Sequence, residues 1–127
     1  MRVELFVPAS KILLAEDHAP TRATLSGVLR ASGYDVEAVG SGVEAVLLLK
    51  KTRYDLLITD LKMPGVDGLT VIREARRLKA DLPVIIITGF SNEASAIEAV
   101  NLGVSGYLTK PFRVPRVLAA ASKALGE

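Results

Sequence analysis

The 127-residue chain is half hydrophobic and about a quarter charged, the proportions of one globular domain able to bury a core without staples. Its 16 Lys and Arg nearly balance its 14 Asp and Glu, so no strong nucleic-acid footprint arises, and with no Cys there is no disulfide framework, thiolate metal site or thiol nucleophile. No apolar run approaches the ~20 residues of a membrane span and no signal-peptide pattern opens the chain, so a cytoplasmic location with no membrane partner is expected.

Taken in order, residues 1–10 precede the first regular element. Val3, Leu5 and Val7 alternate with other residues, but Pro8 cuts the run short, so a mobile N-terminal extension is expected ahead of a domain over 11–127. From Lys11, short apolar runs alternate with stretches of helical periodicity, the pattern of strand-helix units around a parallel sheet, hence an α/β class. Strands are expected at Lys11 to Ala15, Tyr34 to Val39, Asp55 to Asp60, Pro83 to Thr88 and Gly106 to Lys110. Those built on Ile12-Leu13-Leu14, Leu56-Leu57-Ile58 and Val84-Ile85-Ile86-Ile87 are continuously apolar, as strands covered on both faces are, and belong in the centre.

Between the strands, Leu25, Val28 and Leu29 follow Pro20, a good first-turn residue, and Gly33 stops that helix. Val43, Val46 and Leu47 mark a second helix after Ser41. Leu69, Ile72 and Ala75 mark a third after the Gly65 to Gly68 turn, and Ala96, Ile97 and Val100 a fourth closed by Gly103. Val114, Val117, Leu118, Ala121 and Leu125 carry the same spacing through a fifth. The densest basic cluster, Arg73, Arg76, Arg77 and Lys79, reads as a solvated helix face.

In open parallel sheets, ligands bind beyond the carboxyl ends of the strands. Those ends carry Glu16 and Asp17, Asp60, Thr88 and Lys110. Each alone is explained by loop polarity or helix capping. Together, three carboxylates in one crevice raise one another's pKa unless a cation neutralises them, and a hard divalent ion such as Mg²⁺ suits an all-oxygen set. Lys110 adds a positive charge and Thr88 a hydroxyl, which suits a phosphoryl ligand. A carboxylate nucleophile with a metal and a Lys has the parts to accept a phosphoryl group as an acyl phosphate.

These residues in order, Glu16-Asp17, Asp60-Leu61-Lys62-Met63-Pro64-Gly65-Val66-Asp67-Gly68, Thr88-Gly89 and Tyr107-Leu108-Thr109-Lys110-Pro111-Phe112, resemble the signature of response-regulator receiver domains, over Lys11 to about Leu125. The resemblance implies a doubly wound, flavodoxin-like sheet of five parallel strands in the order 2-1-3-4-5 with five helices, the order for which a receiver protein is a standing example. It implies Asp60 as phosphoacceptor, with Glu16, Asp17, Asp60 and the backbone carbonyl of Lys62 around Mg²⁺. It further implies Lys110 and Thr88 on the phosphoryl group, Thr88 and Tyr107 as the switch pair, and a cis bond between Lys110 and Pro111. The implied partners are a histidine kinase or histidine phosphotransfer domain upstream and an output domain or protein downstream.

The chain departs from the family at Gly106, where Asp is common, and at Arg113-Val114-Pro115-Arg116, where acidic residues are frequent. These changes argue against dimerisation through a charged face, so a mainly monomeric domain is expected. His18 is expected in an exposed loop and not on the metal. An aspartate-nucleophile phosphohydrolase is disfavoured because Lys62 stands where a second Asp is typical and no segment could form a cap. A nucleotide- or flavin-binding module lacks its Gly-rich loop. A receiver retained only for docking would not keep every key position. Whether the chain is a stand-alone regulator or part of a larger protein stays open.

Overall fold

The computed structural model describes residues 8–127. Strands and helices alternate throughout: β1 Lys11–Ala15, α1 Ala19–Ala31, β2 Asp35–Val39, α2 Gly42–Lys51, β3 Leu56–Thr59, α3 Gly68–Leu78, β4 Val84–Thr88, α4 Glu93–Asn101, β5 Gly106–Thr109 and α5 Val114–Ala124. All strand pairs are parallel, and the sheet runs β2-β1-β3-β4-β5. The largely apolar β1, β3 and β4 are the interior strands, because strands covered by helices on both faces are apolar at nearly every position.

Side chains alternate between two cores. Leu13, Leu57, Val84 and Ile86 point toward the layer of α2, α3 and α4, packing on Ala45, Val71, Ile72, Ala75 and Ala99. Ile12, Leu14, Leu56, Ile58, Ile85 and Ile87 point toward α1 and α5, packing on Leu25, Leu29, Val117 and Ala121. The winding reverses between β1 and β3, whose carboxyl ends flank a crevice at the switch point.

Several sequence expectations are corrected. The strands at Tyr34, Asp55 to Asp60, Pro83 and Lys110 are each shorter by a residue or two than expected, because the terminal residues turn out of the ladder. On α2 and α4 the helices form where the apolar spacing predicts, and Val46 packs on the core, but most of the large residues that mark them lie outward. Val43 and Leu47 are about half exposed and Val100 is 75% exposed. The most buried side chains are instead the small Ala45, Ser95 and Ala99, with Val46, Leu48 and Leu49 packed partly buried against the same core. Gly68, read as part of a turn, is the first residue of α3, capped by Asp67, whose Oδ1 accepts from the Thr70 amide at 2.8 Å.

Arg76 is not solvated: its guanidinium donates to the carbonyls of Leu82, Leu102 (2.8 Å) and Gly103 (3.1 Å), pinning α3 to the end of α4. His18 is exposed as expected but serves as the cap of α1, its Nδ1 lying 2.7 Å from the Thr21 hydroxyl. The Ser10 carbonyl, assigned to the N-terminal extension, accepts from the Asp35 amide at 3.0 Å and so already extends the β1-β2 pairing. The expected mobility of the extension lies, for residues 1–7, outside the described residues.

Candidate functional site

Asp60 follows the last residue of β3 and is 7% exposed. Its Oδ1 accepts from the backbone amides of Leu61 at 2.6 Å and Lys62 at 3.4 Å, and its Oδ2 from Lys110 Nζ at 2.6 Å. Burial pushes this carboxyl up. The Lys110 hydrogen bond and charge, the Thr88 hydroxyl and the Leu61 amide outweigh burial and hold it below its ordinary value, which favours the carboxylate form.

Glu16 is buried at 2% exposure, with Oε1 bonded to Lys110 Nζ and Oε2 accepting from the His18 amide at 3.3 Å. Burial, with the nearby Asp60 charge, raises it despite Lys110. Burial also pulls Lys110 down, but the bonds to Asp60 and Glu16 more than offset this and leave its ammonium above its usual value. Lys110 thus bridges two strand ends, those of β1 and β3, from a third.

Lys110 is carried there by β5, where its amide donates to the Thr88 carbonyl at 2.9 Å, and the bond to Pro111 is cis, as the sequence resemblance implies. Asp17 is exposed at the mouth. Oxygens of Glu16, Asp17 and Asp60 all lie within 4.8 Å of one another. Neighbouring ligands of an octahedral Mg²⁺ lie about 3 Å apart and opposite ones about 4 Å, so a small contraction brings this all-oxygen set to that geometry. The fit is also visible in Lys110, whose ammonium already sits among these oxygens as a cation.

A glycine shapes the floor. The amide of Gly68 donates to the Leu61 carbonyl at 2.7 Å, and a Cβ on Gly68 would lie 1.9 Å from the Asp60 carbonyl oxygen. Only a residue without a side chain lets the start of α3 press against the peptide that carries Asp60.

Thr88 ends β4 fully buried, its Oγ1 accepting from the Phe90 amide at 3.0 Å. Tyr107 lies beside Ile86 in the β4-β5 register, packs against the core edge and hydrogen bonds through its hydroxyl to Ser91 Oγ at 2.9 Å. Both switch candidates therefore contact the same loop, between β4 and α4. Phe90 stands 48% exposed at that loop, with Lys62 Nζ 5.0 Å from its ring centroid.

The structure brings together Glu16, Asp17, Asp60, Thr88 and Lys110 as the sequence expects. Tyr107 is set apart on the rim, and Lys62 presents its amide to Asp60. Ser91 and Arg22 were not legible beforehand. Arg22 stands five residues beyond Asp17, one turn into α1, a place from which a long side chain folds back over the preceding loop.

Comparison with known proteins agrees with this geometry. The model of the response regulator receiver domain matches residues 12–122, and the chain belongs to that family. It is a domain of two-component signalling and not a turnover enzyme of the ordinary kind. The chain is 35% identical over 109 residues to response regulators MprA of Mycobacterium leprae and Mycobacterium avium, covering 86% of this chain and 48% of each relative, so it spans about half their length.

Among solved structures, a CheY-like receiver domain protein of Methanospirillum hungatei superposes with a TM-score of 0.90 at 22% identity, covering 93% of this chain and 94% of that one, a likeness of fold. The receiver domain of a sensor histidine kinase of Pseudomonas aeruginosa superposes with a TM-score of 0.84 at 28% identity, covering 94% and 99%, and holds a magnesium ion in its active-site cleft. Among the described residues no helix is long and apolar enough to cross a membrane.

Proposed function

We propose that Asp60 accepts a phosphoryl group from the phosphohistidine of a histidine kinase or phosphotransfer domain. The observation that carries this reading is the bridge of Lys110 to both Asp60 and Glu16, with Asp17 completing an oxygen cluster within 4.8 Å. An Asp60 carboxylate oxygen attacks phosphorus, the P–N bond to the donor imidazole breaks, and the imidazole leaves with the bonding pair, giving an acyl phosphate. Glu16, Asp17, Asp60 and the Lys62 carbonyl would hold Mg²⁺, which when bound neutralises phosphoryl oxygens.

Lys110 then follows the new negative charge, and the buried Thr88 hydroxyl turns from Phe90 toward it. The loop that carries Phe90 and Ser91 connects this change to Tyr107 and to the surface of α4, β5 and α5, where a downstream output domain or protein binds. The cytoplasm, where histidine kinases present their phosphohistidine, is the compartment that fits. Mass spectrometry after incubation with acetyl phosphate and Mg²⁺ tests the chemistry. One adduct of about 80 Da, a single phosphoryl group, is expected, lost with EDTA and absent in Asp60→Asn. An adduct of equal yield in that variant refutes the assignment.

A further inference from the structure

Nothing among the described residues hydrogen bonds to the carboxylate of Asp17, which nevertheless has to stand opposite Glu16 and Asp60. Its position is therefore set by its backbone. That backbone is gripped from α1: Arg22 Nη1 donates to the Glu16 carbonyl at 2.8 Å and reaches the Asp17 carbonyl at 3.4 Å. The guanidinium lies against the β2-α2 loop, where a Cβ on Gly40 would meet Nη1 at 2.8 Å. Gly40 does not have a positive φ, so its lack of a side chain answers to this contact and not to backbone strain.

Resting on the metal-site reading above, we infer that Arg22, seated on Gly40, is a positioning residue that holds the Glu16-Asp17 backbone so that its carboxylates meet Mg²⁺. Arg22 touches neither the metal oxygens nor Asp60. It acts through the two peptide carbonyls, as residues behind metal ligands do when they orient them.

The sign of the effect separates this role from the alternatives. A guanidinium near a dication repels it, so if only charge mattered, removing Arg22 would tighten Mg²⁺ binding. If Arg22 only supported the fold, its removal would lower the melting temperature and leave the affinity of the folded fraction unchanged. Positioning requires weaker binding. Gly40→Ala adds an independent test, because the new methyl displaces the flexible end of the Arg22 side chain while the charge stays.

The experiment is calorimetric titration of the full chain with MgCl₂, joined to hydrogen exchange of the Asp17 and His18 amides in metal-free protein. Arg22→Ala and Gly40→Ala are each expected to weaken Mg²⁺ binding by about tenfold, the lower end for loss of a group behind a metal ligand, and to speed exchange in the loop. The double variant should be no weaker than either single one, since both remove the same contact. Arg22→Lys should recover part of the affinity, because an ammonium reaches the carbonyls but lacks the planar fork.

Unchanged or tighter binding in either single variant, or unaltered loop exchange, overturns the inference. If Arg22→Ala fails to fold, Gly40→Ala decides by the same readouts. Wild-type protein that takes up no Mg²⁺ removes the metal-site reading itself, and this role with it.

Discussion

Replacing Lys110 by Met keeps the length of the side chain and removes the ammonium that joins Glu16 to Asp60. Two buried carboxylates then face each other. At a separation of up to 4.8 Å and an effective dielectric constant near 20, two unit charges repel by about 3.5 kcal/mol. Proton uptake by Glu16, which already sits above its ordinary value, relieves part of that repulsion. For a domain of this size, where 1 kcal/mol is worth about 4 °C, a fall in Tm on the order of 10 °C is expected.

Mg²⁺ at ten times its Kd adds about 1.4 kcal/mol to any folded state that binds it. In Lys110→Met the ion no longer competes with an ammonium for the same oxygens, so its Kd falls and its stabilising effect at a fixed concentration exceeds that in wild type. Thermal melts of both proteins in EDTA and across a MgCl₂ series measure this. Equal Tm values in EDTA, or equal Mg²⁺-induced shifts, would show that Lys110 does not stand in for the cation.

Phe90 is held by Lys62 at the loop that follows β4, and if it shields Asp60 from water, Phe90→Glu should speed loss of the phosphoryl group; a single-turnover decay no faster than wild type sinks this shielding role. Gly68→Ala drives a methyl into the Asp60 carbonyl and should cost at least about 3 kcal/mol in urea unfolding; a loss under about 1 kcal/mol means the loop yields freely. Arg113 caps α5 without a side-chain hydrogen bond, and Arg116 lies in the same first turn, where the helix dipole disfavours cations. The beryllofluoride-treated chain should therefore sediment as a monomer, and a salt-sensitive dimer lost in Arg113→Ala contradicts that.

The order of elements was legible because interior strands cannot hide their composition: Ile12 to Leu14, Leu56 to Ile58 and Val84 to Ile87 are apolar at every position, and nothing but a doubly covered strand requires that. The carboxylates were legible because strand ends of a parallel sheet converge. Helix faces were less so. On α2 and α4 the large apolar residues Leu47, Ile97 and Val100 point outward, while Ala45 and Ala99 lie within beside the partly buried Val46, Leu48 and Leu49. Periodicity reports which residues share a face but not how near the sheet comes. Arg22 and Arg76 were hidden for another reason. Each binds backbone carbonyls, and a carbonyl belongs to every residue, so no sequence pattern marks its partner.

The grip of Arg76 on Leu102 and Gly103 makes one end of α4 a fulcrum. The other end begins just past the loop that Thr88 and Tyr107 share, and its cap is local, Asn92 and Ser95 bonding each other across one turn. Nine residues make a lever about 13 Å long, so a tilt of about 10° moves the free end by roughly 2 Å while the anchored end stays in place. Under the proposed switching, a side-chain event at the crevice would become a graded displacement along one helix, greatest at Glu93 and least at Asn101. A partner that reads the first turn of α4 would then meet a surface that moves, and one that grips its last turn a surface that does not.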